Sequence, residues 1–389
     1  MKECDDLSRM TQPKLSPRFL RLGVLGLAVA TALGLSGCAS ESTLRTAPPY
    51  PDVSVRGEKA EANPWKAPEG LSGEIDFWAS GSTQLNEALA KRFTEISGVK
   101  VNLRDTTVAR IVDDLEAARL GDMDLIYLDD WGAAAQFNEL WDKVELHPGS
   151  KLREGFSEGP LVARDASIAS LLVAYSTLPT IPGDWQHLVD RPEYFQRIVM
   201  VDPRRDSMTA MLLASMADEW GEEKFWEFFD QLSGGKMRVV GSDFQALNDV
   251  LSEERSIALG LPDYEGRLPH PGGSPLDTII PDGGSVVSPH ALAVAKNSDN
   301  PEAAKAFVDF MLSDEGQDIV QRNFTLPARQ GWENLYGEPY GVIKQLAVDT
   351  PREELYARSQ VLAEAFAQRY ADRFSSAAVQ APTSTPAAN

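Results

Sequence analysis

Three short polar loops carry the side chains best suited to gripping a small molecule. Ser80-Gly81-Ser82-Thr83 offers hydroxyls and a glycine directly ahead of a helical pattern. The first N–H groups of such a helix have no partner inside it and can face a polar ligand. Asp129-Asp130-Trp131 offers two carboxylates and a broad aromatic face. Asp202-Pro203-Arg204-Arg205-Asp206-Ser207-Met208-Thr209 repeats the arrangement ahead of another helical stretch. Each loop alone also reads as plain structure, an N-cap in one case and a solvated turn beside a core tryptophan in another. Three of them on one chain, each following a strand, point to a binding crevice, because open α/β sheets take ligands beyond the carboxyl ends of their strands.

Signatures of catalysis are missing from the sequence. It holds no Gly-x-Ser-x-Gly elbow and no His-Glu-x-x-His pair, and Gly234-Gly235-Lys236-Met237 lacks the upstream glycine and the following Ser or Thr of a P-loop. His147, His187, His270 and His290 are dispersed, unlike the ligands of a zinc site. Paired carboxylates such as Asp129-Asp130 are too common to imply acid–base work. The expectation is a binding protein, with no enzyme activity, no cofactor and no metal.

The elements that must hold these loops follow from apolar spacing. Glu74 to Ala79, Val99 to Leu103 and Asp124 to Leu128 read as strands. Leu85, Ala88, Leu89, Phe93 and Ile96 share one helical face, as do Val108, Ile111, Val112, Leu115 and Ala118. Ile198 to Val201 and Ile257 to Leu261 are further short strands. Asn300-Pro301-Glu302 starts a helix carrying Ala303, Ala306, Phe307, Phe310 and Met311. Strands alternating with helices specify an α/β fold of helices flanking a sheet.

The amino-terminal segment is an address. Arg18 and Arg21 precede the uncharged run from Leu22 to Leu35, and Ser36-Gly37-Cys38 follows. That is the pattern of a lipoprotein export signal over 1–37, with Cys38 as the lipidated residue. The span is just long enough for a transmembrane helix, but no basic stop-transfer cluster follows it. Cys4 lies in the segment to be removed, so no thiol is left for a disulfide, catalysis or metal. The removed residues hold five basic and three acidic side chains, which leaves the remainder two units more negative than the whole chain at −21. So acidic a surface excludes nucleic acid and anionic lipid head groups as partners. Proline-rich residues 38–70 read as a tether, and 374–389, poor in charge and rich in Ala, Ser, Thr and Pro, as a disordered tail.

Longer stretches resemble a known family. They are Val173-Ala174-Tyr175-Ser176-Thr177, Arg197-Ile198-Val199-Met200-Val201-Asp202-Pro203, Ser207-Met208-Thr209-Ala210, Leu259-Gly260-Leu261-Pro262-Asp263-Tyr264 and Val287-Ser288-Pro289-His290-Ala291-Leu292-Ala293-Val294-Ala295-Lys296. The last continues through Asn300 to Phe307 and Ser313-Asp314-Glu315-Gly316-Gln317. Together these resemble extracellular solute-binding proteins of ABC importers, in the branch that includes ferric-iron, aminoethylphosphonate, thiamine and polyamine binders.

The resemblance implies a two-lobed periplasmic-binding-protein fold of the second type, each lobe a mixed sheet flanked by helices, with a two-segment hinge. Lobe 1 would comprise 71–172 and 287–373, and lobe 2 would comprise 173–286. The chain would cross near 172–176 and 279–287. Solute contacts would come from Gly81, Ser82, Thr83, Asp129, Asp130, Trp131, Arg205, Asp206, Ser207, Thr209, Asp263 and Tyr264, with His290 beside the second crossing. Iron binders of this branch usually present two adjacent tyrosines where this chain has Asp263-Tyr264, and often His or Glu where it has Ser82-Thr83. Both departures speak against iron. The expected protein is a monomeric, lipid-anchored, extracytoplasmic subunit that delivers a small polar solute, amine-bearing or zwitterionic, to a permease and ATPase. A solute sensor without a transporter, or an extracytoplasmic enzyme of unrecognised type, would share this sequence.

Overall fold

The structure, a computed structural model, describes residues 63–375 apart from 120, 148, 269, 271–272, 274 and 334–339. The export signal over 1–37, Cys38, most of the tether and 376–389 lie outside the described residues. Trp65 lies inside them and changes the reading of the tether. Its ring sits 5.6 Å from Phe93 and 5.5 Å from Phe310, and its Nε1 donates to Asp309 at 2.9 Å. An indole with its face against a core and its N–H satisfied is packed structure, so the tether ends ahead of Trp65.

Along the chain the first elements are β1 (Glu74–Ala79), α1 (Thr83–Ser97), β2 (Lys100–Asp105), α2 (Val108–Glu116), β3 (Met123–Leu128) and α3 (Trp131–Ala135). Two short strands, β4 (Trp141–Asp142) and β5 (Ser157–Glu158), lead to the long β6 (Leu161–Val173). Then come α4 (His187–Asp190), β7 (Ile198–Val201), α5 (Ser207–Trp220), α6 (Glu222–Gly234), β8 (Arg238–Val240), α7 (Asp243–Leu251), β9 (Ile257–Pro262) and β10 (Asp277–Ile279). The chain returns through β11 (Val287–Ala295), α8 (Pro301–Met311), α9 (Asp314–Arg322) and β12 (Leu326–Pro327), and α10 (Arg352–Arg369) closes the fold.

Strand order is β2-β1-β3-β11-β6-β9-β7-β8, with β1 parallel to β2 and β3, and β7 parallel to β8 and β9. β6 is buried along its whole length, and it alone pairs with both halves: with β11 through residues 162–168 and with β9 through 169–173. Three cores result. The first gathers Ile75, Phe77, Phe93, Leu125 and Phe307, the second Leu171, Met200, Leu213 and Phe229, and a third, smaller one Leu172, Val199, Val201, Val250 and Ala258. The core changes between Ile168 and Ala169, a few residues ahead of the boundary expected at 172, because β6 stays one unbroken strand through the junction. On the return path Val286 packs on the second core and Val287 on the first.

A second correction concerns α10. Within the segment 287–373 expected in lobe 1, Leu355, Leu362, Phe366 and Tyr370 all join the second core, and α10 lies along α5. The buried residues of α10, Leu355, Leu362 and Phe366, find their apolar partners there, so the last helix packs on lobe 2. The start of the tail also moves, since Phe374 forms a bridge with Val239.

Candidate functional site

Each polar loop sits where the sheet geometry places it, at the carboxyl end of a strand. In the first lobe, β1 ends at Ala79 and Ser82 caps α1, its hydroxyl accepting from the Leu85 N–H at 3.4 Å. Gly81 adopts φ +75°, and a Cβ there would stand 3.3 Å from Asp129 Oδ2. Both the backbone angle and the close carboxylate favour glycine at this position. Ser80 ties the loops together: its hydroxyl donates to Asp129 Oδ1 and accepts from the Asp129 N–H at 3.1 Å. Thr83 is exposed and donates to Asp105. Asp130 caps α3 by accepting from the Ala133 N–H at 2.9 Å, and Trp131 is buried.

The second lobe answers with Asp206, which caps α5 by accepting from the Thr209 N–H at 2.7 Å and from the Thr209 hydroxyl. Ser207, the first residue of α5, faces Asp130 across the gap, and the two line one cavity. The lobes therefore approach each other at the helix starts of α3 and α5.

Five carboxylates lie around this gap within electrostatic reach of others of the group, Asp129 and Asp130 from one lobe and Asp206, Asp243 and Glu265 from the other, and they repel. Burial pushes the Asp206 carboxyl up to about 6, against its bonds to Thr209 and with help from Asp130 and Asp129. Burial also drives Asp243 well above the usual carboxylate range, with Asp206, Asp129 and Glu265 adding to it. Asp130 is raised by burial and by Asp129. Glu265 is raised by burial, with His270 opposing. Tyr264 is buried beside Glu265 and also opposes the rise of its carboxyl. One oxygen of Asp243, Oδ1, is buried without a hydrogen-bond partner among the described residues. Such a group costs free energy until something pairs with it.

Next to this cluster lies a cavity of about 310 Å³, the size of a small-molecule site. Asp130, Trp131 and Ser207 line it together with Met211, Val286 and the start of β11, while Arg352 and Tyr356 close it from α10. A Cβ on Gly132 would lie 2.0 Å from the Tyr356 ring, so only glycine lets α10 approach this closely.

Three expected contacts lie elsewhere. Arg205 turns back toward Asp202, 4.0 Å away, because that fully buried carboxylate draws both neighbouring arginines. Asp263 is fully buried and its carboxylate accepts from the Ile168 N–H at 2.9 Å and from Arg267, which pins β9 to β6. His290 is buried within lobe 1, its Nδ1 2.7 Å from both Asp165 and the Tyr127 hydroxyl and its Nε2 2.6 Å from Ser167. A one-residue register shift between His290 and Ala291 belongs to this part of β11. Sequence reasoning missed Asp243, Glu265, Arg352 and Tyr356. Ser242-Asp243 follows a strand and opens a helix, the same signal that exposed the other loops, whereas α10 carries no such mark.

Among the described residues no group of three or more His, Cys, Asp or Glu stands close enough to hold a metal ion.

Comparison with known proteins places this geometry in context. Residues 153–341 match the family described as bacterial extracellular solute-binding protein. An uncharacterized protein of Haemophilus influenzae is 28% identical over 141 residues, which is 36% of this chain and 40% of that one. The phosphoglycerate transport regulatory protein PgtC of Salmonella typhimurium is 27% identical over 139 residues, 36% of this chain and 34% of its own. The chain thus aligns with well under half the length of these curated relatives. Among solved structures, iron-bound HitA from Pseudomonas aeruginosa superposes with a TM-score of 0.64 at 18% identity, covering 75% of this chain and 98% of that one. The periplasmic binding protein AfuA from Actinobacillus pleuropneumoniae, with fructose-6-phosphate bound, gives 0.62 at 19% identity, covering 77% and 98%. These likenesses establish a two-lobed periplasmic-binding-protein fold.

Proposed function

We propose that this bacterial extracellular solute-binding protein captures a small amine-bearing solute between its lobes and hands it to an ABC permease and its ATPase. Lipidation at Cys38 holds it at the membrane, outside the cytoplasm. The observation that carries the solute's charge is the group of five carboxylates converging from both lobes, with Arg205 turned away onto Asp202. An ammonium group relieves the mutual repulsion of these acids, whereas a phosphate adds to it. The ammonium would lie between these acids and the Trp131 ring, where a cation–π contact contributes about 0.5–2 kcal/mol, and the rest of the solute in the adjoining cavity. Ser82, Thr83 and Thr209 would frame the site by holding the helix starts, and Gly81 by leaving room beside Asp129.

Iron and sugar phosphate, bound by HitA and AfuA, fit this site less well. The carboxylates are spread over two lobes without three of the described residues' donors meeting at one point, and the phosphate-bearing alternative meets net negative charge. A second reading, a solute sensor that serves no transporter, draws support from the relative named as a transport regulatory protein. An adjacent permease and ATPase gene would favour import; an adjacent kinase gene would favour sensing.

Thermal-shift measurements with polyamines, thiamine, aminoethylphosphonate, ferric citrate, inorganic phosphate and simple sugars test the solute class. Stabilisation by one of the amines is expected, and stabilisation by phosphate or iron alone would overturn the reading. For the anchor, Cys38→Ala is expected to leave the protein unprocessed or soluble; recovery of this variant in membranes at mature size would remove Cys38 from the account.

A further inference from the structure

The cavity beside the carboxylates has one buried cationic wall, and it comes from the last helix. Arg352 opens α10 and is half-buried, its guanidinium 5.0 Å from the Trp131 ring centroid. One of its nitrogens donates to the Gly155 carbonyl at 2.7 Å. Among the described residues no carboxylate forms an ion pair with it; Glu158 acts on it only from a distance. Burial pulls the guanidinium below the ordinary arginine value, the mark of a charge held out of water without a full counter-charge. Glu158 and Glu353 also line the cavity, but both are exposed at its edge. The inward-facing charges are therefore Asp130 on the lobe 1 side and Arg352 on the α10 side, with Trp131, Met211, Val286 and Tyr356 between them. A guanidinium in this state has donors suited to an oxyanion.

We propose that Arg352 forms an acid-group subsite, and that the solute is bipolar, with its ammonium toward Asp130 and a carboxylate or phosphonate on Arg352. This rests on the amine reading above and narrows it. The α10 helix then takes part in recognition directly: its body packs on lobe 2, while Arg352 at its start is held on the Gly155 carbonyl and over Trp131 of lobe 1.

Calorimetric titration of the full chain with n-butylamine, 4-aminobutanoate and 3-aminopropylphosphonate tests the subsite. The two acid-bearing amines are expected to bind at least about tenfold more tightly than n-butylamine. In Arg352→Gln that advantage is expected to shrink to within about twofold, with an unchanged circular-dichroism spectrum and thermal transition showing that the variant is folded; Arg352→Lys is expected to keep part of it. Equal affinity for n-butylamine and the acid-bearing amines, or an advantage undiminished in Arg352→Gln, would overturn the acid subsite alone. Failure of all three probes to bind, with inorganic phosphate binding instead, would overturn the amine reading and this inference together.

Discussion

Two groups of acidic side chains in this protein are withdrawn from water and held in opposite ways. Inside lobe 1, Asp165 is fully buried, yet Arg164 Nε reaches it at 2.7 Å, His290 at 2.7 Å and the Tyr127 hydroxyl at 2.8 Å. Burial alone would push its carboxyl up; Arg164, His290 and Tyr127 outweigh it and hold the group near about 2. Arg164 continues the network to Asn86 at 2.7 Å, and Asn86 reaches the Ser80 carbonyl at 2.9 Å. Between the lobes, Asp206 has Thr209 for its hydrogen-bond partner among the described residues and other carboxylates for company, and it rises to about 6. Residue type does not separate a structural acid from a binding one, and the more deeply buried of the two, Asp165, is the one that stays ionised. What separates them is whether the chain itself supplies the counter-charge.

Removing the counter-charged centre of the lobe 1 network tests the comparison with the largest effect. Asp165→Ala leaves Arg164 buried and unpaired, so a stability loss of about 3–5 kcal/mol is expected in urea unfolding, with amine affinity of the folded fraction unchanged. Asp206→Asn should act in the opposite sense. The folded carboxyl holds its proton up to about 6 while the unfolded one loses it near 3.8, so the folded state binds more protons and stability falls as pH rises between these values. At neutral pH the Asn variant is therefore expected to melt on the order of 2–4 °C higher than the parent, and to bind amines about tenfold more weakly. Trp131→Ala is expected to weaken amine binding by about 2- to 30-fold, the range of one cation–π contact. Arg205→Ala should change amine affinity by less than about twofold, since Arg204 keeps Asp202 paired at 2.7 Å. A large loss in Arg205→Ala would mean that this side chain reaches the solute after all.

How much of this was legible beforehand follows the range of the forces involved. Strand-end loops are local: Ser82, Asp130 and Asp206 each cap the helix that follows, as their types and positions imply. The direction of a long side chain is not local, and Arg205 turns toward Asp202 because of a carboxylate three residues earlier that the backbone buries. His290 reads as a cleft residue by its place near the crossing, but its alternation along β11 puts it beside Asp165 and Ser167 of the neighbouring β6. Asp263 is taken by β6 in the same way. Arg352 and Tyr356 were beyond reach, since nothing near them in sequence shows that α10 folds back onto α5 and meets Trp131.

The central claim is that the gap between the lobes awaits a positive group, and calorimetric titration of n-butylamine between about pH 5 and pH 7.5 tests it most directly. The amine stays protonated throughout, so the change comes from the protein, from the raised carboxyls of the gap and from its histidines, and repeating the titration in His270→Gln separates the two. Affinity is expected to rise about tenfold as Asp206 ionises through about 6, and inorganic phosphate is expected to show no binding. An affinity that is flat or falls with rising pH, or phosphate binding tighter than the amine, would contradict the account.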